Sequence, residues 1–165
     1  MGDIPNPYEP PGYYVPVAAI NATGATQVVS GSAWPPGVLA VHPGPAQLVV
    51  VGWQSPIDAT VSVTGTIRDR DANGGDGVLW YIDKGSSNLA SGSLANGGSQ
   101  GFRDGTGGGS LASIVVSQGE FLYFVVHPKG NWGCDSTQLD VSISGTGEQF
   151  ESPLLTRHRN YDLLS

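Results

Sequence analysis

Residues 60–68, TVSVTGTIR, alternate apolar and polar side chains almost without interruption. On an extended chain, Val61, Val63 and Ile67 fall on one side, whereas the threonine, serine and arginine side chains fall on the other. This period of two is the pattern of a β-strand with one buried face and one solvated face. Further strand patterns occur at residues 47–53, 77–83, 111–117, 120–127 and 138–144.

The composition of the chain supports the same fold class. Its 165 residues include 25 glycines and 12 prolines, which interrupt helices and favour turns between strands. No segment repeats apolar residues at the spacing of an amphipathic helix. We therefore predict an all-β protein, a single antiparallel β-sandwich of the jelly-roll type with an extended N-terminal arm and a C-terminal tail.

This prediction divides the chain into three parts. Residues 1–31 begin with a proline-rich stretch that is typical of an extended arm, and they lead into the sandwich. Residues 32–146 contain the strand patterns and are predicted to form the sandwich. Residues 147–165 form a C-terminal tail with basic side chains beside pairs of leucines, which we interpret either as a solvated tail or as an arm that docks on a partner.

The charge balance of the chain excludes some classes of partner. Fourteen acidic and seven basic side chains leave a formal net charge of −7, which repels the phosphate backbone of nucleic acids.

No apolar run is long enough to span a bilayer, so we expect no membrane insertion. The N-terminus lacks the basic and apolar segments of a secretory signal peptide. We expect an extracellular or surface-exposed location, either secreted, on a cell surface or on a virion.

Residues 69–77, DRDANGGDG, concentrate oxygen-bearing side chains in a short glycine-rich segment. Two interpretations stay open. Asn73-Gly74 is a favoured hairpin turn, and aspartates also satisfy the backbone of turns. Alternatively, the segment binds calcium, which takes six to eight oxygen ligands. It is not an EF-hand, because Trp80 stands where that loop requires a glutamate.

The calcium interpretation draws on a second segment, NWGCDST at residues 131–137. A sandwich could bring this segment and residues 69–77 together, although the sequence does not show that it does. Calcium is then the candidate cofactor. The six candidate ligands are Asp69, Asp71, Asn73, Asp76, Asn131 and Asp135.

The sequence contains no recognisable catalytic motif. It has no serine nucleophile elbow, no HExxH zinc motif and no phosphate-binding loop. The single cysteine, Cys134, has no histidine signature that would make it a nucleophile, and most acidic residues fall in turns. We predict that the protein is not an enzyme.

Several segments carry a resemblance to a known family. They are WPPGVLAVHPGP, VVVGWQSP, TVSVTGTIRDRDANGGDGVLWYI, VVSQGEFLYFVV and GNWGCDSTQLDVSI. With the glycine-rich stretch between them, residues 32–146 resemble a jelly-roll module of bacterial cell-surface and secreted proteins. That module often accompanies glycoside hydrolases and sorting-signal proteins, and it is similar to carbohydrate-binding modules. The resemblance implies a non-catalytic module for binding or structure.

Carbohydrate-binding surfaces combine aromatic rings, which stack on the apolar faces of sugars, with polar groups that bind the hydroxyls. Trp53 and Trp80 lie within strand patterns and are predicted to be core residues. The four candidate ligand-binding residues are Trp132, Tyr81, Arg103 and Asp104.

The predicted function is non-catalytic surface recognition, with cell-surface polysaccharide as the ligand. The alternative is a structural virion-surface protein, a head-decoration or spike component. Its N- and C-terminal arms would attach it to a capsid or to other assembly subunits.

Overall fold

A computed structural model describes residues 15–29, 31–71, 74–145, 148–149 and 155–156. The described chain consists of antiparallel strands and two short 3-10 helices, which confirms the all-β prediction. The strands are β1 (Val17–Ile20), β2 (Gln27–Val29), β3 (Ser32–Trp34), β4 (Leu39–His42), β5 (Val49–Gln54), β6 (Ala59–Asp69), β7 (Val78–Lys84), β8 (Ser87–Ser93), β9 (Ser99–Gly101), β10 (Ile114–Val116), β11 (Phe121–Pro128), β12 (Thr137–Gly145), β13 (Glu148–Gln149) and β14 (Leu155–Thr156). The helices are η1 (Phe102–Asp104) and η2 (Gly108–Ala112).

Two sheets pack face to face as a β-sandwich. The first sheet has the order β1-β4-β12-β6-β10, with β13 paired to β12 and β9 paired to β6. The second sheet has the order β14-β5-β11-β7-β8, while β2 and β3 form a separate two-stranded hairpin. Along the chain, consecutive strands repeatedly cross from one sheet to the other, which leaves the connecting loops at the two ends of the sandwich.

Strand β6 shows how the alternating sequence becomes one face of the core. Val61, Val63 and Ile67 are buried, as the period of two predicts. Gly65 takes the next inward position with a φ of +130°, and a β-carbon there would overlap the backbone of Asp140 on the neighbouring strand. Glycine is therefore required at this position by both the backbone conformation and the close approach of β12.

Aromatic side chains fill the space between the sheets. Trp53 and Trp80 are buried, which confirms their prediction as core residues. The ring of Phe102 packs edge-on against Trp80 with 5.5 Å between centroids, and lies 6.0 Å from the ring of Phe124. Because Phe102 begins helix η1, the glycine-rich segment between β8 and β10 is attached to the core.

The structure extends the sandwich beyond residues 32–146. Strand β1 pairs with β4 in the first sheet, so part of the predicted N-terminal lead-in belongs to the sandwich. Strands β13 and β14, from the predicted tail, pair with β12 and β5. Short strands of this kind carry little alternation of their own, and their pairing partners are far away in the sequence. The arm residues 1–14 lie outside the described residues.

Within the part of the chain that the structure describes, no helix is long and apolar enough to cross a membrane.

Candidate functional site

The two segments that the sequence analysis predicted to bind calcium, around Asp69 and around Asp135, extend from the same end of the sandwich. Asp69 ends β6 and is the register partner of Thr137, which begins β12. One step further out, the N–H of Arg70 donates a hydrogen bond of 2.7 Å to the carbonyl of Ser136. Residues 70–71 and 74–77 therefore lie beside residues 129–136 at this end, which we call the acidic end.

Direct contacts join the two segments. The N–H of Gly130 donates to a carboxylate oxygen of Asp76 at 2.9 Å, and the ammonium of Lys129 donates to the carbonyl of Asp76 at 3.0 Å. Gly75 lies so close to Gly133 that a β-carbon at Gly75 would stand 2.7 Å from the Gly133 carbonyl oxygen. The juxtaposition on which the calcium interpretation depends is therefore present.

Two carboxylates at the acidic end are shielded from solvent. The exposed fraction is 1% for Asp69 and 0% for Asp135. One oxygen of Asp69 accepts the N–H of Asp71 at 2.9 Å, but the other accepts no hydrogen bond from any described residue. Neither carboxylate oxygen of Asp135 has a hydrogen-bond partner in the described chain. A buried charge without such partners is costly.

Burial, together with the closeness of several acidic side chains, raises the pKa of these two carboxylates. Burial, followed by repulsion from Asp69 and then Asp76, raises the pKa of Asp135 to about 7, although Lys129 acts in the opposite direction. Burial also raises the pKa of Asp69, against the N–H groups of Asp71 and Gly97. Each carboxylate makes its neighbour harder to ionise, because like charges in a poorly solvated site repel strongly.

Neither Lys129 nor Arg70 directs its hydrogen bonds to these carboxylates. Lys129 donates to the carbonyls of Asp76 and Leu94, and the Arg70 guanidinium lies 5.9 Å from the centre of the Trp34 ring. Over the described residues, the one salt bridge joins Lys84 to Glu120 at 3.3 Å, at the opposite end of the sandwich.

A fourth buried oxygen without a hydrogen-bond partner among the described residues belongs to Asn96, which the sequence did not indicate as a ligand. Asn96 lies in the turn that follows β8, beside Gly75, whose β-carbon would stand 3.7 Å from the amide oxygen of Asn96. This oxygen is buried and accepts no hydrogen bond within the described ranges. Its only sequence signal is the Asn96-Gly97 turn, which is hidden in a long glycine-rich stretch.

The other predicted ligands differ in their surroundings. Asp71 is half-buried, Asp76 and Asn131 are exposed, and the amide oxygen of Asn131 accepts the N–H of Gly133 at 3.0 Å as in an ordinary turn. Asn73 lies outside the described residues. Among the residues described, no group of three or more aspartate, glutamate, histidine or cysteine side chains is arranged to hold a metal ion by itself.

Cys134 lies between the predicted ligands Asn131 and Asp135 in the sequence. Burial and, after it, the negative charges of Asp71 and Asp135 raise the pKa of the thiol. The thiol therefore stays protonated at neutral pH.

The four predicted sugar-binding residues lie on different parts of the surface. Trp132 is half-buried at the acidic end, where its ring meets His42 edge-on with 6.2 Å between centroids. Tyr81 lies on β7, on the face of the second sheet that points away from the core. Arg103 and Asp104 are exposed on η1, which packs against β6 and β8 along the side of the sandwich. The structure does not bring these four together.

Tyr81 instead has aromatic neighbours on its own strand face. Tyr123 and Phe121 on β11 point to the same outer side, and their rings stack with 5.5 Å between centroids and 6° between planes. Tyr81 is opposite Val125, which places it diagonally across from Tyr123. We call Phe121, Tyr123 and Tyr81 the aromatic stripe. Its β11 members could not be predicted from the sequence, because FLYFVV is apolar enough to indicate a strand that is buried on both faces.

Polar groups border the aromatic stripe. Asp83 is the register partner of Tyr123, and its carboxylate accepts a hydrogen bond of 2.8 Å from the amide of Asn88. Gln54 is exposed at the position opposite Phe121. Gly52, opposite Tyr123, carries no side chain, and the two rings on β11 lie within van der Waals distance of the space that a β-carbon there would occupy.

Comparison of the chain with protein-family models, with curated proteins and with solved structures finds no match in any of the three.

Proposed function

We propose that the protein is a non-catalytic recognition module that binds cell-surface polysaccharide on the outer face of its second sheet. The observation that carries this proposal is the aromatic stripe, three half-buried rings arranged across two adjacent strands. Rings held by a rigid sheet offer apolar area at fixed spacing and lose little conformational entropy when a ligand binds.

The chemistry of the stripe suits a saccharide. A pyranose ring has an apolar face of C–H groups that packs on an aromatic ring, while its hydroxyls need hydrogen-bond partners. Tyr81 and Tyr123 provide rings together with phenolic hydroxyls. The Asp83–Asn88 pair and Gln54 provide acceptors and donors at the border. The recognised ligand is then an extended chain of sugars lying across the strands.

Two further observations favour a module of this kind. The strand order alternates between the sheets as expected of the jelly-roll type, in which loops and sheet faces are available for binding. The carboxylates whose pKa is raised, Asp69 and Asp135, are buried, so a substrate could not reach them for acid–base catalysis. An extracellular or surface location agrees with a polysaccharide ligand.

A glycan array and a capsule pull-down with the intact protein test this proposal. We expect binding that falls at least tenfold in Tyr81→Ala and in Tyr123→Ala, because each removes a stacking surface. Val115→Ala is the matched control, since Val115 is 69% exposed on the other sheet and its loss removes apolar surface without a ring. Trp132→Ala tests the acidic end as the competing location. The absence of any glycan ligand for the wild-type protein would contradict the proposal.

A second candidate function is structural, as a virion-surface protein held by its arms. The observation that favours it is exposed apolar surface on β1 and β2, the strands that follow the N-terminal arm in the sequence. The exposed fractions are 54% for Ile20, 71% for Val28 and 54% for Val29. Such side chains on edge and hairpin strands are suited to burial against a partner subunit.

Removal of residues 1–14 tests the second function. Val15 is buried and is therefore retained. If the arm attaches the protein to a particle, the truncated protein stays folded by circular dichroism but no longer enters particles. Normal incorporation of the truncated protein would contradict this role, and glycan binding is expected to survive the truncation.

A further inference from the structure

We propose that Asp69, Asp135 and the side-chain oxygen of Asn96 form the centre of a calcium site at the acidic end of the sandwich. This inference is independent of the proposed glycan ligand. It explains why an otherwise well-packed protein places two carboxylates out of reach of solvent, and it assigns a role to a residue, Asn96, that belongs to no turn hydrogen bond through its oxygen.

Several buried oxygens at the acidic end have unsatisfied hydrogen-bonding capacity. Both oxygens of Asp135, one oxygen of Asp69 and the amide oxygen of Asn96 are buried and have no hydrogen-bond partner among the described residues. Asp135 is fully buried, and Asp69 is the charged group that perturbs it most. Native proteins leave few such atoms unpaired, and four acceptors at one end of a domain call for a common partner.

This common partner carries positive charge. Four aspartates, at positions 69, 71, 76 and 135, crowd this end, and the opposing charges are those of Lys129 near Asp135 and of His42 near Asp69. Lys129 directs its hydrogen bonds to backbone carbonyls and not to Asp69 or Asp135. A bound cation removes the repulsion between the two buried carboxylates and replaces the hydration that they lose on folding.

The chemistry of the ligands selects the cation. The candidate ligands are carboxylate and amide oxygens, which suit calcium or magnesium and do not suit zinc or copper. Calcium accepts irregular sets of oxygens from glycine-rich loops, whereas magnesium requires a near-ideal octahedron. The segments that contain Gly74, Gly75 and Gly97 are glycine-rich loops, and they therefore suit calcium better than magnesium.

The architecture supports the site from three sides. Asp69 is anchored at the end of β6, Asp135 is two residues ahead of β12, and Asn96 follows β8 on the other sheet. Asp71 and Asp76 lie at the solvent side, where they can complete the shell together with water. Calcium would thereby tie the two sheets together at one end. The turn interpretation of Asn73-Gly74 and the calcium interpretation are compatible, because a turn can present ligands.

Thermal unfolding of the full chain in calcium chloride and in EGTA tests the proposal. A native-state ligand at about 100 times its dissociation constant raises the melting temperature of a domain of this size by about 5 °C or more. We expect this rise in the wild-type protein and its absence in Asp135→Asn. Isothermal titration with calcium chloride is expected to show one site in the wild-type protein and none in the variant.

Asp58→Asn is the matched control. Asp58 lies at the opposite end of the sandwich, where its carboxylate accepts the N–H of Gln118 at 2.7 Å, and asparagine retains an acceptor there. This variant is expected to keep the full response to calcium. Asp135→Asn should fold in EGTA with a melting temperature no lower than that of the wild-type protein, because it removes a buried repulsion.

Three results would overturn the inference. The first is a wild-type melting temperature that does not differ between millimolar calcium and EGTA. The second is an Asp135→Asn protein that responds to calcium like the wild-type protein. The third is an equal response to magnesium at equal concentration, which would contradict the assignment to calcium.

Discussion

Asp69 and Thr137 are register partners across β6 and β12, and this pairing brings Asp135 alongside Asp69 just beyond the end of the ladder. The two carboxylates are separated by more than sixty positions in the sequence, yet the antiparallel pairing delivers both to one buried space. A slip of the register by one residue would turn the neighbouring side chains to opposite faces. The acidic end is therefore a consequence of the pairing of these two central strands.

The stability of the metal-free protein should fall as the pH rises from 5 to 8. The pKa of Asp135 is about 7 in the folded state against 3.8 in the unfolded chain, so between these values the folded state holds a proton that the unfolded state has released. Folding is favoured below this window, and the benefit is lost as the pH passes the folded-state value. Melting temperatures in EGTA at several pH values measure the effect.

Asp135→Asn provides the control for this pH dependence, since an amide does not titrate. The variant should show a flatter profile in EGTA than the wild-type protein. Glu120, whose pKa is lowered chiefly by the N–H of Ser117, changes its charge below this pH range and does not contribute. Identical profiles for the two proteins would show that Asp135 ionises at its ordinary pH in the folded protein.

Asn96→Ala should weaken calcium binding by about tenfold while leaving the metal-free protein almost as stable as the wild type. The amide oxygen of Asn96 accepts no hydrogen bond from the described chain, so its removal breaks no such bond in the absence of metal. The loss of a metal ligand lowers the affinity for the cation and does not affect the protein when the cation is absent. Calorimetric titration and unfolding in EGTA measure the two effects. Asn88→Ala, which alters an amide far from this end, should retain full affinity.

Gly77→Ala should destabilise the protein by about 2 kcal/mol or more. Gly77 has a φ of +76°, and a β-carbon there would overlap the carbonyl of Leu94. Gly85 provides a matched comparison, because it also has a positive φ, +58°, but nothing lies within 4 Å of the added carbon. Gly85→Ala should cost about 1 kcal/mol from the backbone alone. Urea unfolding compares the two, and equal losses would show that the Leu94 contact relaxes.

Phe102→Ala should lower the free energy of unfolding by about 3 to 5 kcal/mol, the usual cost of truncating a buried aromatic residue. Phe102 is 1% exposed and contacts both Trp80 and Phe124. Phe102→Leu, which retains much of the volume, should lose considerably less. Urea unfolding measures both. A loss below about 1 kcal/mol for the alanine variant would mean that the glycine-rich segment does not contribute to the core.

Local patterns in the sequence predicted six strands, β5, β6, β7, β10, β11 and β12, and many of the core side chains that they carry. The alternation of residues 60–68 predicts which side chains of β6 are buried, and Trp53 and Trp80 were recognisable as core residues because they lie in such strands. Period-two patterning needs only neighbouring residues, so a single sequence contains it. The abundance of glycine and proline likewise excluded long helices before any strand was placed.

The tertiary structure alone decided where these elements meet. Nothing local in the sequence pairs β1 with β4, places Asn96 beside Gly75, or arranges Tyr81 diagonally across from Tyr123. Each of these relationships depends on strand register or on loop packing between residues that are distant in the sequence. The acidic segment 69–77 could be identified from its composition, but the burial of Asp69 and Asp135 follows only from the packing of two sheets over the same end.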